Sequence, residues 1–329
     1  MGASSSREKT RLPHDIVLTD NILGEGSYGK VYEGYYQSDP SSLLAIKEFD
    51  NYKLFKLEFE VAKELKDHFR KCPEYFMCMV DYFMYPSRDL YYIVYKRAKS
   101  DLTTYMKHLG VRDKGFSKAT PQNPYDVFYV SNLEDTTVYN VINTMIVILE
   151  KLDSLKLSHR DIKMENILVD YGFPINIILG DMGLMCSRRG SPIKLAQCSK
   201  SSVQGTHMFF PPSLENVWNS SYTSEKQALW QDIYATGATL YAFLAGMFPK
   251  INRGSPLLDF PRDLKPVIDG VKYRIRREDI NKLVNTMVFA PSVDLALRYK
   301  NIWRKYKNLK RKSKKSKSSN KKKKGKKKI

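Results

Sequence analysis

The chain has 329 residues, 42 % of them apolar and 27 % charged, enough for a sizeable core in one large domain or two smaller ones. Its net charge of +20 is concentrated at one end: residues 304–329 carry 16 Lys or Arg and no acid, leaving 39 basic against 35 acidic residues elsewhere. Apolar runs such as "MIVIL" (145–149) fall far short of the ~20 residues of a membrane span, so crossing a membrane is excluded but touching one is not.

In chain order, residues 1–15 are small, polar and charged and read as disordered. Residues 16–47 alternate apolar with polar or aromatic residues around glycines and read as strands. Residues 52–69 have helical spacing, with Leu54, Leu57 (or Glu58), Val61 and Leu65 on one side. "DLYYIVYK" (89–96) reads as a strand and 110–135, mixing Gly, Pro, Asn and Asp, as a long surface loop. Helices are predicted from Thr137 to Lys156 and at about 224–248 and 278–288. Strands with one helix, followed mostly by helices, predict an α+β protein with a small β-rich lobe and a larger helical one. Cys72, Cys78, Cys186 and Cys198 lack zinc-type spacing, and no secretory apolar region precedes them; reduced thiols in a cytosolic or nuclear compartment are expected.

"GEGSYGKV" (24–31) has the spacing G-x-G-x-x-G-x-V. A dinucleotide-binding loop would open a helix after the third glycine. Here "KVYEGYY" follows, which favours a hairpin whose Gly24, Gly26 and Gly29 let backbone N–H groups approach phosphates. A plain glycine-rich turn has the same spacing. In "LAIKEF" (44–49), Lys47 lies among apolar residues, so its ammonium needs a carboxylate or an anionic ligand. The helix at 52–69 offers Glu58, Glu60 and Glu64, and Glu58 shares a face with Val61 and Leu65.

"HRDIKMENILVD" (159–170) places Asp161, Lys163 and Asn166 within six residues, so one loop can aim all three at a single site. Asp161 can orient a hydroxyl or accept its proton, Lys163 can neutralise a phosphoryl group in transfer, and Asn166 offers a neutral oxygen to a hard cation. Asp181 lies 15 residues after Asn166, beyond a turn and a second apolar strand; a hairpin would bring it back beside Asn166 as a metal-binding pair.

The glycine loop, "AIK", "HRD-x-K-x-x-N", the acid of "DMG" and "DIYATG" (232–237) stand in the order and at the spacing of the eukaryotic-type protein kinases, and the chain resembles that family from about Asp15 to Arg298. The resemblance implies a bilobal fold, with an N-lobe at about 16–97 and a C-lobe at about 98–303. It also implies transfer of the γ-phosphoryl of Mg-ATP (Mn2+ as an alternative metal) to protein hydroxyls. On that reading Lys47 holds the α- and β-phosphates and pairs with Glu58, while Asp161 is the catalytic base and Lys163 gives the loop its Ser/Thr form. Asn166 and Asp181 hold the metal. Gly24, Glu25, Gly26, Ser27, Tyr28 and Gly29 cover the phosphates, and Val31, Ala45 and Leu168 also bind the nucleotide. Tyr95 is the gatekeeper, Lys96–Ala98 the hinge whose backbone groups read adenine, and Asp101 reaches the ribose edge. Asp232 braces the catalytic loop. A pseudokinase scaffold, which typically lacks Lys47, Asp161 or Asp181 equivalents, is the alternative.

Three departures stand out. Met182 follows the metal-binding Asp where Phe is usual, and is apolar and adaptable enough to fill the same space. Ser213 takes the place of a Glu that pairs with a distant Arg in the family; Glu215 and Arg298 are candidate replacements. The third is the insert at 110–135. In the segment 187–204, phosphorylation of Ser187, Ser191, Ser199, Ser201 or Ser202 is expected to be gripped by Arg160; a loop that works unmodified is the alternative. Finally, "MGASSS" fits the myristoylation pattern at Gly2, and the lysine tail fits an anionic membrane surface, a nucleic acid, a nuclear-import receptor or solubility alone. The expected location is intracellular: cytoplasmic, peripheral at membranes, or nuclear.

Overall fold

A computed structural model describes residues 11–26, 29–110, 133–170, 172, 175–215, 218–246, 257–268, 270–290 and 292–305. The first part is a six-stranded antiparallel sheet in the spatial order β1-β2-β3-β4-β6-β5. Its strands are β1 (Arg11–Leu12), β2 (Ile16–Gly26), β3 (Gly29–Tyr36), β4 (Asp39–Phe49), β5 (Met79–Tyr85) and β6 (Leu90–Lys96). Strand alternation splits its apolar residues between two faces. Leu12, Ile16, Leu44, Ile46 and Val94 pack on one face; Phe49, Ile93 and Tyr95 pack on the other against helix α1 (Tyr52–His68). The register pairs Ala45 with Tyr95 and Lys47 with Ile93 on this second face, so the strand that buries Ile46 sends Lys47 the opposite way, toward the helix.

Asn51 caps α1 by accepting from the N–H groups of Lys53 and Leu54. Its buried face is Phe55, Glu58, Val61, Ala62 and Leu65, whereas Leu57 is 51 % exposed. Of the two residues weighed for that position, Glu58 is the one inside.

The larger part is helical. The chain crosses over through β7 (Ser100–Asp101) into α2 (Leu102–Gly110), then α3 (Asp135–Ser154) and β8 (Leu157–Ser158). A hairpin of β9 (Ile167–Asp170) and β10 (Asn176–Leu179) follows, then β11 (Cys186–Ser187), which pairs with β8. After α4 (Pro212–Glu215) comes α5 (Glu225–Ala245), buried almost throughout. The strands β12 (Val267–Ile268) and β13 (Val271–Lys272) precede α6 (Arg277–Phe289) and α7 (Val293–Ala296). Helices α3, α5 and α6 enclose one core around Ile146, Ile233 and Val284. No helix among the described residues is long and apolar enough to cross a membrane.

Three expectations need correction. Residues 11–15 are not disordered: β1 pairs with β2 because Leu12, 5 % exposed, closes the edge of the sheet core. The cysteines are not free thiols: Cys72 pairs with Cys78 and Cys186 with Cys198. Spacing arithmetic misses the second pair because it is made by the chain folding back, with Ser187 beside Gln197. The pairing of Glu215 with Arg298 falls on a side chain outside the described residues, among which Arg298 is exposed and makes no ion pair. Asp153 at the end of α3 accepts from Arg188 (3.1 Å) and from Lys300. The insert is shorter than predicted: α2 runs to Gly110, Leu133 packs against the core, and 111–132 lie outside the described residues. So do Gly2 and residues 306–329, while 304–305 continue a helical stretch from 299.

Candidate active site

Between the sheet and the helical part lies a cleft of about 500 Å3. Its roof comes from β2–β4, with Gly24, Gly26, Val31, Ala45 and Lys47. Gly29 closes the hairpin at φ +134°, and a Cβ there would stand 2.1 Å from the Glu48 carbonyl oxygen, so only glycine lets β3 pass β4 at that point. At Gly24 and Gly26 a Cβ would meet no protein atom, only the cleft. Such bare backbone under a roof suits phosphate oxygens. Ser27 and Tyr28 lie outside the described residues.

Lys47 is 9 % exposed, and its Nζ donates to Glu58 Oε2 at 2.5 Å and Asp181 Oδ1 at 3.1 Å. Burial works against its charge, but Glu58 and then Asp181 outweigh it and hold the ammonium well above its ordinary value. Burial pushes the Glu58 carboxyl up, against the opposing pull of Lys47. Asp181 is held below the ordinary carboxylate range: burial is overcome by Lys47, with Lys163 adding to it. The sequence-predicted trio is therefore one charge-coupled group.

Below it, the loop from β8 to β9 carries His159 to Asn166. Asp161 Oδ1 accepts from the Thr206 backbone N–H at 2.8 Å and its hydroxyl at 2.7 Å; Oδ2 accepts from Asn166 Nδ2 at 3.0 Å. Lys163 Nζ donates to Thr206 Oγ1 at 2.8 Å and stands 3.1 Å from Asp161 Oδ2. Asn166 also donates to the Asp161 carbonyl, so its amide nitrogen is spent on the loop. Its amide oxygen is the atom left for a cation, and Asn166 and Asp181 line the same cleft. A divalent ion with hard oxygen preferences takes one or two protein carboxylates and completes its shell with phosphates and water. The donor set fits such an ion. Among the described residues there is no cluster of three or more His, Cys, Asp or Glu that would hold a metal without phosphates.

The loop is braced from behind. Asp232, fully buried on α5, accepts from the backbone N–H groups of His159 and Arg160, both at 2.8 Å. Burial raises its carboxyl, and those two donors oppose the rise. His159 accepts from the Asp161 N–H at Nδ1 and lies 3.0 Å from the Gly180 carbonyl at Nε2, so the neutral tautomer protonated on Nε2 satisfies both. Gln231 donates to the carbonyls of Arg160 and Gln204. Gly205 comes so near that a Cβ would lie 2.1 Å from the Arg160 oxygen. Arg160 and Asp181 both have positive φ, 73° and 53°, an uncommon backbone region for such residues that packing on all sides sustains here.

Some predicted residues sit differently. The Lys96 side chain is exposed and turned out of the cleft, because it alternates with the inward Tyr95, so only its backbone can serve the hinge; Arg97 and Ala98, the rest of the expected hinge, line the cleft. Asp101 lines it too, but its carboxylate already accepts from the Thr104 N–H and hydroxyl, capping α2. Arg160 donates to the carbonyls of Leu184 and Ser202, so the segment after Asp181 is held by its own backbone. Met182 is 2 % exposed in the core. Leu168 forms part of the floor. Sequence reasoning missed Thr206, and it missed Met77 and Leu23, whose only signal was their apolar character.

The protein kinase domain model matches residues 18–258. The chain is 26 % identical over 291 residues to a serine/threonine-protein kinase stk11 homolog of Dictyostelium discoideum, covering 84 % of this chain and 44 % of that protein. It is 25 % identical over 312 residues to the serine/threonine-protein kinase Sgk1 of Danio rerio, covering 88 % and 63 %. With human serine/threonine-protein kinase STK11 the figure is 26 % over 246 residues, covering 74 % and 50 %. The chain thus spans less than two thirds of the length of these relatives. The antiparallel sheet over a helical body, the cleft between them and the matched domain agree: the chain belongs to the protein kinase family, with serine/threonine kinases as its relatives, and has the bilobal α+β fold of that family.

Proposed function

We propose that this protein is an active serine/threonine protein kinase that transfers the γ-phosphoryl group of Mg-ATP to protein hydroxyls, with Mn2+ able to replace Mg2+. The observation that carries the reading is the Lys47 ammonium held between Glu58 and Asp181 on the same cleft as Asn166, which hydrogen-bonds Asp161. A chain that only needed a scaffold would have no reason to keep a buried carboxylate and a half-buried one against one buried ammonium, since burial opposes their charge.

On this reading the backbone around Gly24 and Gly26 and the Lys47 ammonium bind the phosphates, and Ala45, Val31 and Leu168 enclose the adenine. Asn166 and Asp181 would hold the divalent ion, which supplies charge neutralisation at the phosphate oxygens. Asp161 orients the incoming hydroxyl and accepts its proton at the carboxylate. Lys163 and Thr206 fix that carboxylate, and Lys163 offers positive charge to the phosphoryl group in transfer. The direct test is incubation with γ-labelled ATP, Mg2+ and a mixed protein substrate, followed by acid hydrolysis. Labelled phosphoserine or phosphothreonine is expected. Label absent, or equal to that made by Asp161→Ala, would favour the scaffold reading, and label on tyrosine would overturn the specificity.

For the ends of the chain, a myristoyl group on Gly2 and the lysine tail together would give two weak membrane signals, which suffice where one does not. The protein would then act at an anionic membrane surface. Vesicle binding that falls steeply with salt and is lost in Gly2→Ala is expected; equal binding by Gly2→Ala would remove the lipid part. Salt-sensitive binding to nucleic acid but not to vesicles would move the tail to that partner.

A further inference from the structure

The cleft contains a contact that the phosphate-binding pair does not require. Glu58 divides its two oxygens: Oε2 accepts from Lys47 at 2.5 Å, while Oε1 accepts from the phenol of Tyr95 at 3.0 Å. Tyr95 lies on β6 opposite Ala45, on the face shared by Lys47, two residues along β4. The small side chains of Ala45 and Ala62, which cluster with Tyr95, leave the phenol room to reach α1. Both partners are inside, Tyr95 at 9 % and Glu58 at 3 % exposure. Beside Glu58 stands Gly183, where a Cβ would come within 3.2 Å of Oε2, so the missing side chain leaves that oxygen its room.

We infer that Tyr95 is a positioning residue for ATP binding: its hydroxyl fixes the Glu58 carboxylate from the sheet, aims Oε2 at Lys47, and ties helix α1 to the sheet in the engaged position. A carboxylate held by one lysine alone can rotate and exchange oxygens. Held at Oε1 by a donor on a central strand, it presents one oxygen in one place. The phenol is suited to this because burial and the Glu58 charge push it well above its ordinary value, so it remains a donor. The groups facing Glu58 are Lys47 from β4, Tyr95 from β6 and the Asp181 carboxylate beyond Lys47. Of these, Lys47 and Tyr95 hydrogen-bond to it. Phenylalanine at 95 would fill the same volume and leave Oε1 without this donor. The tie also means that α1 is held by the sheet itself, in addition to its packing on Met182–Leu184.

The inference rests on the kinase reading, and the test separates the two. Affinity for a non-hydrolysable Mg-ATP analogue is measured by calorimetry on the full chain for the parent, Tyr95→Phe, Glu58→Gln and the double variant, alongside KM and kcat for ATP and amide exchange of α1. A hydrogen bond to a buried charge corresponds to about a tenfold or larger effect. Tyr95→Phe is expected to weaken analogue binding and raise the ATP KM by about that factor, to leave kcat at saturating ATP within about threefold, and to speed exchange in residues 52–68. In the Glu58→Gln background the same change should cost at most about twofold, because the charge that Tyr95 holds is gone. Unchanged affinity in Tyr95→Phe, or an equal loss in both backgrounds, overturns the inference. A parent that binds the analogue but transfers no phosphoryl group refutes the activity instead, and leaves the binding comparison intact.

Discussion

Asp153 joins three distant parts of the chain: the end of α3, Arg188 just past β11, and Lys300 beyond α7. It is the carboxylate between the two cations at this junction, so Asp153→Asn should be costly. Arg188 is 8 % exposed, donates otherwise to the Leu157 carbonyl, and its Nε has no partner. Losing the carboxylate leaves that guanidinium buried without a counter-charge. Breaking such a pair costs about 3–5 kcal/mol, and because Asp153 is 16 % exposed we expect the lower end, about 3 kcal/mol. Arg188→Met leaves Asp153 with Lys300 and should cost about 1 kcal/mol; Lys300→Met, at a side chain 29 % exposed, should cost no more than about 1 kcal/mol. The double variant Asp153→Asn/Arg188→Met should therefore be more stable than Asp153→Asn alone. Burial raises the Asp153 carboxyl, but Lys300 and then Arg188 outweigh it and hold it below its ordinary value. A lowered folded-state value means that this stabilisation is present above the unfolded value of about 3.9 and is lost as pH falls through the lower folded value. The gap between parent and Asp153→Asn should thus close in acid. Urea midpoints at pH 7 and stepwise below pH 4, down to about pH 2, measure both effects. Asp153→Asn within about 0.5 kcal/mol of the parent at pH 7, or a double variant less stable than Asp153→Asn, would refute the reasoning.

Other consequences follow from the same contacts. Thr206→Val removes the hydroxyl that links Lys163 to Asp161 and should lower kcat by about 10–100-fold with little change in ATP affinity, and Thr206→Ser should restore most of it. Met182→Phe should leave activity within about twofold and stability within about 1.5 kcal/mol, since the position needs only apolar volume; a large loss in turnover would show that Met is required there. Replacing Cys186 and Cys198 by Ser opens a loop of 12 residues and should lower stability by up to about 3 kcal/mol in oxidising buffer and by much less in reducing buffer, read as the difference in melting temperature with and without reductant.

Much of the site was legible because its residues are close in sequence or obey a period. Asp161, Lys163 and Asn166 share one loop, and a hairpin with a short turn had to return Asp181 to Asn166. Glu58 was legible from its place three and seven residues before Val61 and Leu65, although a carboxylate on a buried stripe contradicts simple patterning. The period of two that aims Tyr95 inward aims the Lys96 side chain out, so a hinge at Lys96 can work only through its backbone. What could not be read depends on folding back over long separations. The Cys186–Cys198 pair, the Asp153–Lys300 contact and the Thr206 hydroxyl each join segments whose proximity is set by tertiary packing, and no local rule of spacing marks them. The start of the fold was set too late because two residues of edge strand carry almost no pattern, and only the burial of Leu12 places them.

The central claim is that the cleft carries out phosphoryl transfer rather than only binding nucleotide. One preparation of Asp161→Ala, measured for Mg-ATP affinity and for turnover, tests it most directly. The account predicts affinity within about threefold of the parent and turnover lower by about 100-fold or more, because Asp161 acts on the hydroxyl and not on the nucleotide. Equal turnover in parent and variant would contradict it.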